Sequence, residues 1–130
     1  MQRFFNCHSH SLMSLGDGIL KIKDLVSNAI KHNAPAAGLT DHGHVIGLYE
    51  FWKECEKQGI KPIVGVEAYA IPTEEVFSTR RSNHLIVLVK NETGWRNLLK
   101  LFAIANRSRE EGGTFFYKAR FTYDDIFKHQ

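Results

Sequence analysis

His8 and His10 stand two residues apart in Phe5-Asn6-Cys7-His8-Ser9-His10-Ser11. Side chains alternate across a strand, so both imidazoles would point one way and Cys7 and Ser9 the other. His-x-His on a strand offers two nitrogens to one metal ion. Further donors follow: Asp17 within Gly16-Asp17-Gly18, His42 within Thr40-Asp41-His42-Gly43, Glu67 within Gly65-Val66-Glu67, and His84 after a loop carrying Arg80 and Arg81. Nitrogen and oxygen donors without thiolates favour Zn, Mn or Fe. His8, His10, Asp17, His42, Glu67 and His84 exceed the four ligands of a closed structural zinc site, which points to a multinuclear centre. Each residue also has a plainer reading. Asp17 between two glycines could stabilise a turn, His42 could cap a helical turn, Glu67 could pair with Lys or Arg, and His84 could be a satisfied core histidine.

The elements that must position these residues alternate between strand and helix. Residues 3–9 read as a strand, and 11–18 as a turn-rich loop. Ile22, Leu25, Val26, Ala29 and Ile30 form one apolar helical stripe, stopped at Asn33 before Pro35. Ala36 to Thr40 is a short apolar strand. Leu48, Phe51, Trp52 and Cys55 mark a second helix ending at Gly59, and Ile63 to Ala70 a third strand rich in β-branched residues. Leu85 to Val89, nearly all apolar, predicts a strand covered on both faces. Trp95, Leu98, Leu99 and Phe102 mark a third helix whose stripe is core. Thr114 to Phe121 mixes aromatics and basics. Thr122 and Asp125 could form a capping box for a last short helix. The alternation implies an α/β fold with a parallel sheet of right-handed βαβ units, whose functional residues sit at C-terminal strand ends.

The 130 residues suit one domain, spanning 1–130, and 43% hydrophobic content supports a core. No apolar run reaches the roughly 18 residues of a membrane span. No export signal is evident, and Cys7 and Cys55 make no disulfide framework, so a cytoplasmic protein with reduced thiols and no membrane partner is expected. The net charge of +3 is too small to diagnose nucleic-acid binding, but its distribution is uneven. Residues 1–76 hold seven Lys/Arg and nine Asp/Glu, whereas 77–120 hold nine and three. That division suits a phosphate-bearing substrate, and equally an ordinary solvated surface.

These motifs resemble the N-terminal polymerase-and-histidinol-phosphatase (PHP) domain of bacterial DNA polymerase III alpha subunits. The resemblance runs through His8-Ser9-His10-Ser11, Ser14-Leu15-Gly16-Asp17-Gly18, Leu39-Thr40-Asp41-His42-Gly43, Gly59-Ile60-Lys61-Pro62-Ile63-Val64-Gly65-Val66-Glu67 and Thr93-Gly94-Trp95-Arg96-Asn97-Leu98. It implies part of a (β/α)7 barrel with up to three divalent metals, Zn or Mn, at the rim. It assigns His8 and His10 to the first metal, Glu67 as bridge to the second, His84 to the second, and Asp17 and His42 to the third. It leaves Asp41 to orient its neighbours and His44 as a spare ligand or substrate contact; Arg80 and Arg81 could approach a phosphodiester, although loop arginines are more often simply solvated.

The family's later ligands, later strands and polymerase palm fall beyond Gln130, so DNA polymerisation by this chain alone is not expected. The implied function is a segment of a replicative polymerase, either supporting it or hydrolysing phosphodiesters or pyrophosphate as a 3′ exonuclease would. The remainder of the polymerase and DNA are the implied partners. Two rivals stay open. One is a small phosphoesterase completed by a second copy or by His44 and His129. The other is a non-catalytic module that self-associates, or docks on the remainder, through an open strand edge.

Overall fold

The computed structural model describes residues 4–130. They fold as two compact units. The first comprises the described residues through Glu67 together with Ile86–Leu88, and the second Ala68–Leu85 with Val89–Gln130.

In the first unit, α1 (Ile22–Lys31) and α2 (Leu48–Gln58) pack against β1 (Ala36–Leu39). Their apolar stripes supply the core: Ile22, Leu25 and Val26 from α1, and Leu48, Phe51 and Cys55 from α2. Asn33 stops α1 as expected. Its φ is 53°, and the Asn33 and Ala34 N–H groups donate back to the Ile30 and Ala29 carbonyls, both at 2.9 Å. All four residues of β1 are buried. β1 pairs in parallel with β2 (Lys61–Ile71), from Ala36 opposite Lys61 to Leu39 opposite Val64.

The strand expected at residues 3–9 does not form within the described residues; Met1 to Arg3 lie outside them. Residues 4–10 are irregular, joined to the sheet region by one backbone bond, Thr40 N–H to Ser9 O at 2.9 Å. The segment instead crosses closely over β1. A Cβ on Gly38 would lie 2.5 Å from the Asn6 carbonyl oxygen, so only glycine permits this approach.

In the second unit the end of β2 pairs in parallel with β4 (Phe121–Thr122), Ala70 opposite Phe121 and Ile71 opposite Thr122. α3 (Glu92–Ala105) and α4 (Tyr123–Lys128) contact β4. The N-cap half of the expected capping box is present: Thr122 Oγ1 accepts the Asp125 N–H at 3.2 Å, while its hydroxyl donates to Asp125 Oδ2 at 2.7 Å. The stripe of α3 is shifted from expectation. Leu98, Leu101 and Ala105 are buried, while Leu99 is exposed.

β3 (Asn83–Leu88) is β2's other neighbour in the sheet. The Gly65 position lies against the Val87 carbonyl, and the Tyr69 ring against that of His84. Partner numbers fall along β3 as they rise along β2, so β3 runs against β2, whereas the other two pairings are parallel as expected. The sequence predicted cover on both faces of this strand. Leu85 and Leu88 are instead 38% and 42% exposed. Among the described residues no helix is long and apolar enough to cross a membrane.

Candidate metal centre

The parallel pairing of β1 and β2 continues beyond the end of β1 and positions the cluster. Glu67 N–H donates to the Asp41 carbonyl at 3.2 Å, Gly43 N–H donates to the Glu67 carbonyl at 2.9 Å, and His42 and Glu67 form an isolated parallel bridge. Two side chains that sequence places 25 residues apart therefore become neighbours on one sheet. β2 itself runs on to Ile71, so Glu67 lies within the strand rather than at its end.

His8 and His10 approach the same carboxylate. His8 Nε2 and His10 Nε2 lie 3.5 and 3.2 Å from Glu67 Oε2, and 2.9 Å from each other. The same-side placement expected of His-x-His thus survives without a strand ladder. Two imidazole nitrogens this close need either one N–H between them or a shared cation. A cation about 2.1 Å from each donor, tetrahedrally arranged, sets its ligands about 3.4 Å apart. The observed spacings bracket that value, so His8, His10 and Glu67 fit one small divalent ion.

The other edge of the His10 ring meets a second group. His10 Nδ1 and His42 Nδ1 lie 2.9 and 3.2 Å from Asp17 Oδ2, and His42 Nδ1 is 3.6 Å from Glu67 Oε2. The hydrogen bond with His42, followed by the charges of His10 and His42, holds the Asp17 carboxyl below the usual range despite some opposing desolvation. Asp17 is presented by a tight loop. Leu12 N–H bonds the Leu20 carbonyl at 2.7 Å, and a Cβ on Gly18 would overlap the Ser11 carbonyl at 1.9 Å.

The resemblance leaves Asp41 to orient its neighbours. Buried, it accepts from the Ser11 N–H at 2.6 Å and from Ser11 Oγ at 2.9 Å, fixing the residue after His10. His44 points elsewhere: its Nε2 donates to the Met13 carbonyl at 3.1 Å. In the second unit, His84 begins β3 and packs edge-on against Tyr69, with ring centroids 5.6 Å apart. Arg80 and Arg81 also belong to that unit, in the loop before β3.

Sequence reasoning gave Ser14 no role. Its buried hydroxyl lies 3.2 Å from His10 Nδ1 and 3.5 Å from Asp17 Oδ2, and accepts the His42 N–H at 3.1 Å. One small side chain thus ties three of the donor residues together. Its position three residues before Asp17 was the only available signal.

An α/β fold that gathers imidazoles and carboxylates beside a parallel strand pair defines a domain whose His/Glu cluster could hold a metal ion. The family model described as PHP domain matches residues 6–130, and the chain belongs to that family. It is similar to the N-terminal region of DNA polymerase III alpha subunits. The subunit of Borreliella burgdorferi is 46% identical over 132 residues, covering 98% of this chain and 11% of the relative. That of Aquifex aeolicus is 36% identical over 136 residues, covering 97% and 11%. That of Chlamydia trachomatis is 39% identical over 127 residues, covering 94% and 10%. The chain therefore spans about a tenth of the length of these relatives. Among solved structures, a chain described as a metal-dependent phosphoesterase from Bifidobacterium adolescentis matches with a TM-score of 0.54 at 21% identity, covering 79% of this chain and 34% of that one. That likeness establishes the fold.

Proposed function

We propose that the chain is the PHP segment of a replicative DNA polymerase III alpha subunit, and that it holds divalent cations for phosphodiester hydrolysis. His8, His10 and Glu67 would take one ion, Asp17 and His42 another, and His84 would serve the ion that Glu67 bridges. Zn or Mn suits these nitrogen and oxygen donors. Such an ion, when bound, polarises a phosphoryl oxygen and makes water a competent nucleophile near neutral pH. The protein's own part is to hold the donors. Glu67 is nearly buried, so its carboxylate is fixed by the fold, whereas His8 is half exposed and leaves a face open to substrate. Asp41 and Ser14 position the chain around His10 and His42. The observation that carries this reading is the approach of His8 and His10 to a single Glu67 oxygen.

The test is hydrolysis of bis(p-nitrophenyl) phosphate with added Mn²⁺ or Zn²⁺, in the wild-type chain and in Glu67→Gln. Turnover lost in the variant supports a working centre. Equal turnover in both would exclude it.

A structural reading is favoured by the exposed Leu85 and Leu88 of β3. Here the chain supports the remainder of the polymerase, or pairs with a second copy, and no turnover is seen. Binding to a separately produced polymerase remainder, or a doubled mass in solution, would mark that outcome. A cytoplasmic location and DNA as a partner belong to the same polymerase reading.

A further inference from the structure

The second unit carries ten Lys/Arg against seven Asp/Glu, and its cations are distributed unusually. Arg96 pairs with Glu92 on the exposed side of α3. Arg80, Arg81, Arg109, Lys118 and Arg120 make no ion pair within 4.0 Å of a carboxylate among the described residues, although Glu110 feels the charge of its neighbour Arg109. Four of these five lie over aromatic rings instead. The Arg80 guanidinium sits 3.6 Å from the Tyr117 centroid, the Lys118 ammonium 3.4 Å from Tyr69, Arg109 4.8 Å from Phe77, and Arg120 5.1 Å from Phe116. Three of the rings touch in sequence: Phe77 to Phe116 at 6.3 Å and Phe116 to Tyr117 at 4.6 Å.

Rings orient cations without neutralising them. A carboxylate would cancel their field. The repulsion shows at Lys118, whose pKa is held down by burial and then by the charge of Arg120. The arrangement is also held rigid. Arg120 is fully buried and donates to the carbonyls of Val76, Thr79 and Arg81, anchoring the loop that presents Arg80 and Arg81. Tyr117 is 59% exposed and adopts φ 65°, a left-handed conformation uncommon for an aromatic residue. Arg80 both stacks on the Tyr117 ring and donates to its hydroxyl.

Pre-oriented cations without close ion pairs, interleaved with the exposed Tyr117 ring and the half-buried rings of Tyr69, Phe77 and Phe116, match the chemistry of single-stranded nucleic acid. Phosphates take the guanidinium and ammonium groups, and unstacked bases take the ring and guanidinium faces. An acidic protein surface would satisfy the charges but leave the rings unused. A duplex would offer phosphates without free base faces. We infer that the surface formed by Arg80, Arg81, Arg109, Lys118 and Tyr117 binds single-stranded nucleic acid. It requires no metal, so it stands or falls separately from the hydrolytic reading.

The test is fluorescence anisotropy with the full chain, EDTA present, and a labelled oligothymidylate of about 20 nucleotides. Binding is expected at low salt, with log K falling against log salt by about 0.7 per engaged cation. The triple variant Arg80→Gln, Arg81→Gln, Lys118→Gln changes surface groups and leaves Arg120 in place. It should bind about tenfold more weakly or worse, with a salt slope shallower by about 2. Circular dichroism checks that it remains folded, and Arg109→Gln alone, with a smaller loss, serves if it does not. A duplex of equal length should bind at least about threefold more weakly. No binding at low salt, unchanged binding in the folded variants, equal affinity for duplex, or equally effective competition by polyglutamate would each overturn the inference. The last would assign the surface to an acidic protein partner.

Discussion

Asp41 in the first unit and Arg120 in the second are both buried ionisable side chains that contact neutral groups rather than an opposite charge. Asp41 gathers donors, the backbone N–H and hydroxyl of Ser11. Arg120 gathers acceptors, three carbonyls of the loop from Val76 to Arg81. Around the carboxyl lies a cluster of imidazoles and carboxylates with the spacing a cation requires. Around the guanidinium lie further cations resting on rings. The metal proposal has the first unit receive positive charge and the nucleic-acid proposal has the second receive negative charge, although the whole chain carries a net charge of only +3. Overall charge therefore conceals how charge is divided between the units.

The sharpest way to break this contrast is Arg120→Met, which keeps the aliphatic stem but strands the three carbonyls. Unfolding free energy should fall by about 3–5 kcal/mol in urea titration. A change below about 1 kcal/mol would mean that the loop does not depend on Arg120. Asp41→Ala should cost about 2–4 kcal/mol by the same measurement, with Asp41→Asn recovering part because its carbonyl oxygen still accepts. Zinc at about 100 times its dissociation constant should stabilise the chain by about 2.7 kcal/mol. His10→Ala should abolish that gain in thermal melts, and Arg80→Gln should leave it unchanged.

The smallest effect concerns Cys55 in the core of the first unit. Burial first, then the charge of Glu54, pushes its thiol from 9.0 up to about 11. The unfolded chain ionises first as pH rises. The stability contributed by the neutral thiol is therefore complete below pH 9.0 and is lost as pH climbs toward about 11. Cys55→Ala should flatten the alkaline limb of a stability–pH curve. In the native chain, iodoacetamide at neutral pH should label the partly exposed Cys7 and spare Cys55.

Much of this was legible in the sequence because it is local. The stripes of α1 and α2, the Asn33 stop and the Thr122 cap each depend on residues within one or two helical turns. The meeting of His42 and Glu67 was legible because Asp-His-Gly follows β1 and Glu67 lies on the parallel strand beside it. What escaped was long-range. Arg120 reaches carbonyls 39 to 44 positions away, and a lone arginine between Ala119 and Phe121 carries no periodic signal. The extended segment before His8 has strand-like residues, yet close packing over Gly38 holds it in place of a hydrogen-bonded ladder. β3 reads as a covered strand because its composition is apolar, and composition cannot report whether a covering element is present.

The central claim is that His8, His10 and Glu67 share a cation, and the visible absorption spectrum of the chain titrated with Co²⁺ tests it most directly. The account predicts saturable d–d bands of nitrogen–oxygen coordination, displaced by Zn²⁺ and lost in both His10→Ala and Glu67→Gln. A spectrum no different from aqueous Co²⁺, or bands that persist in both variants, would contradict it.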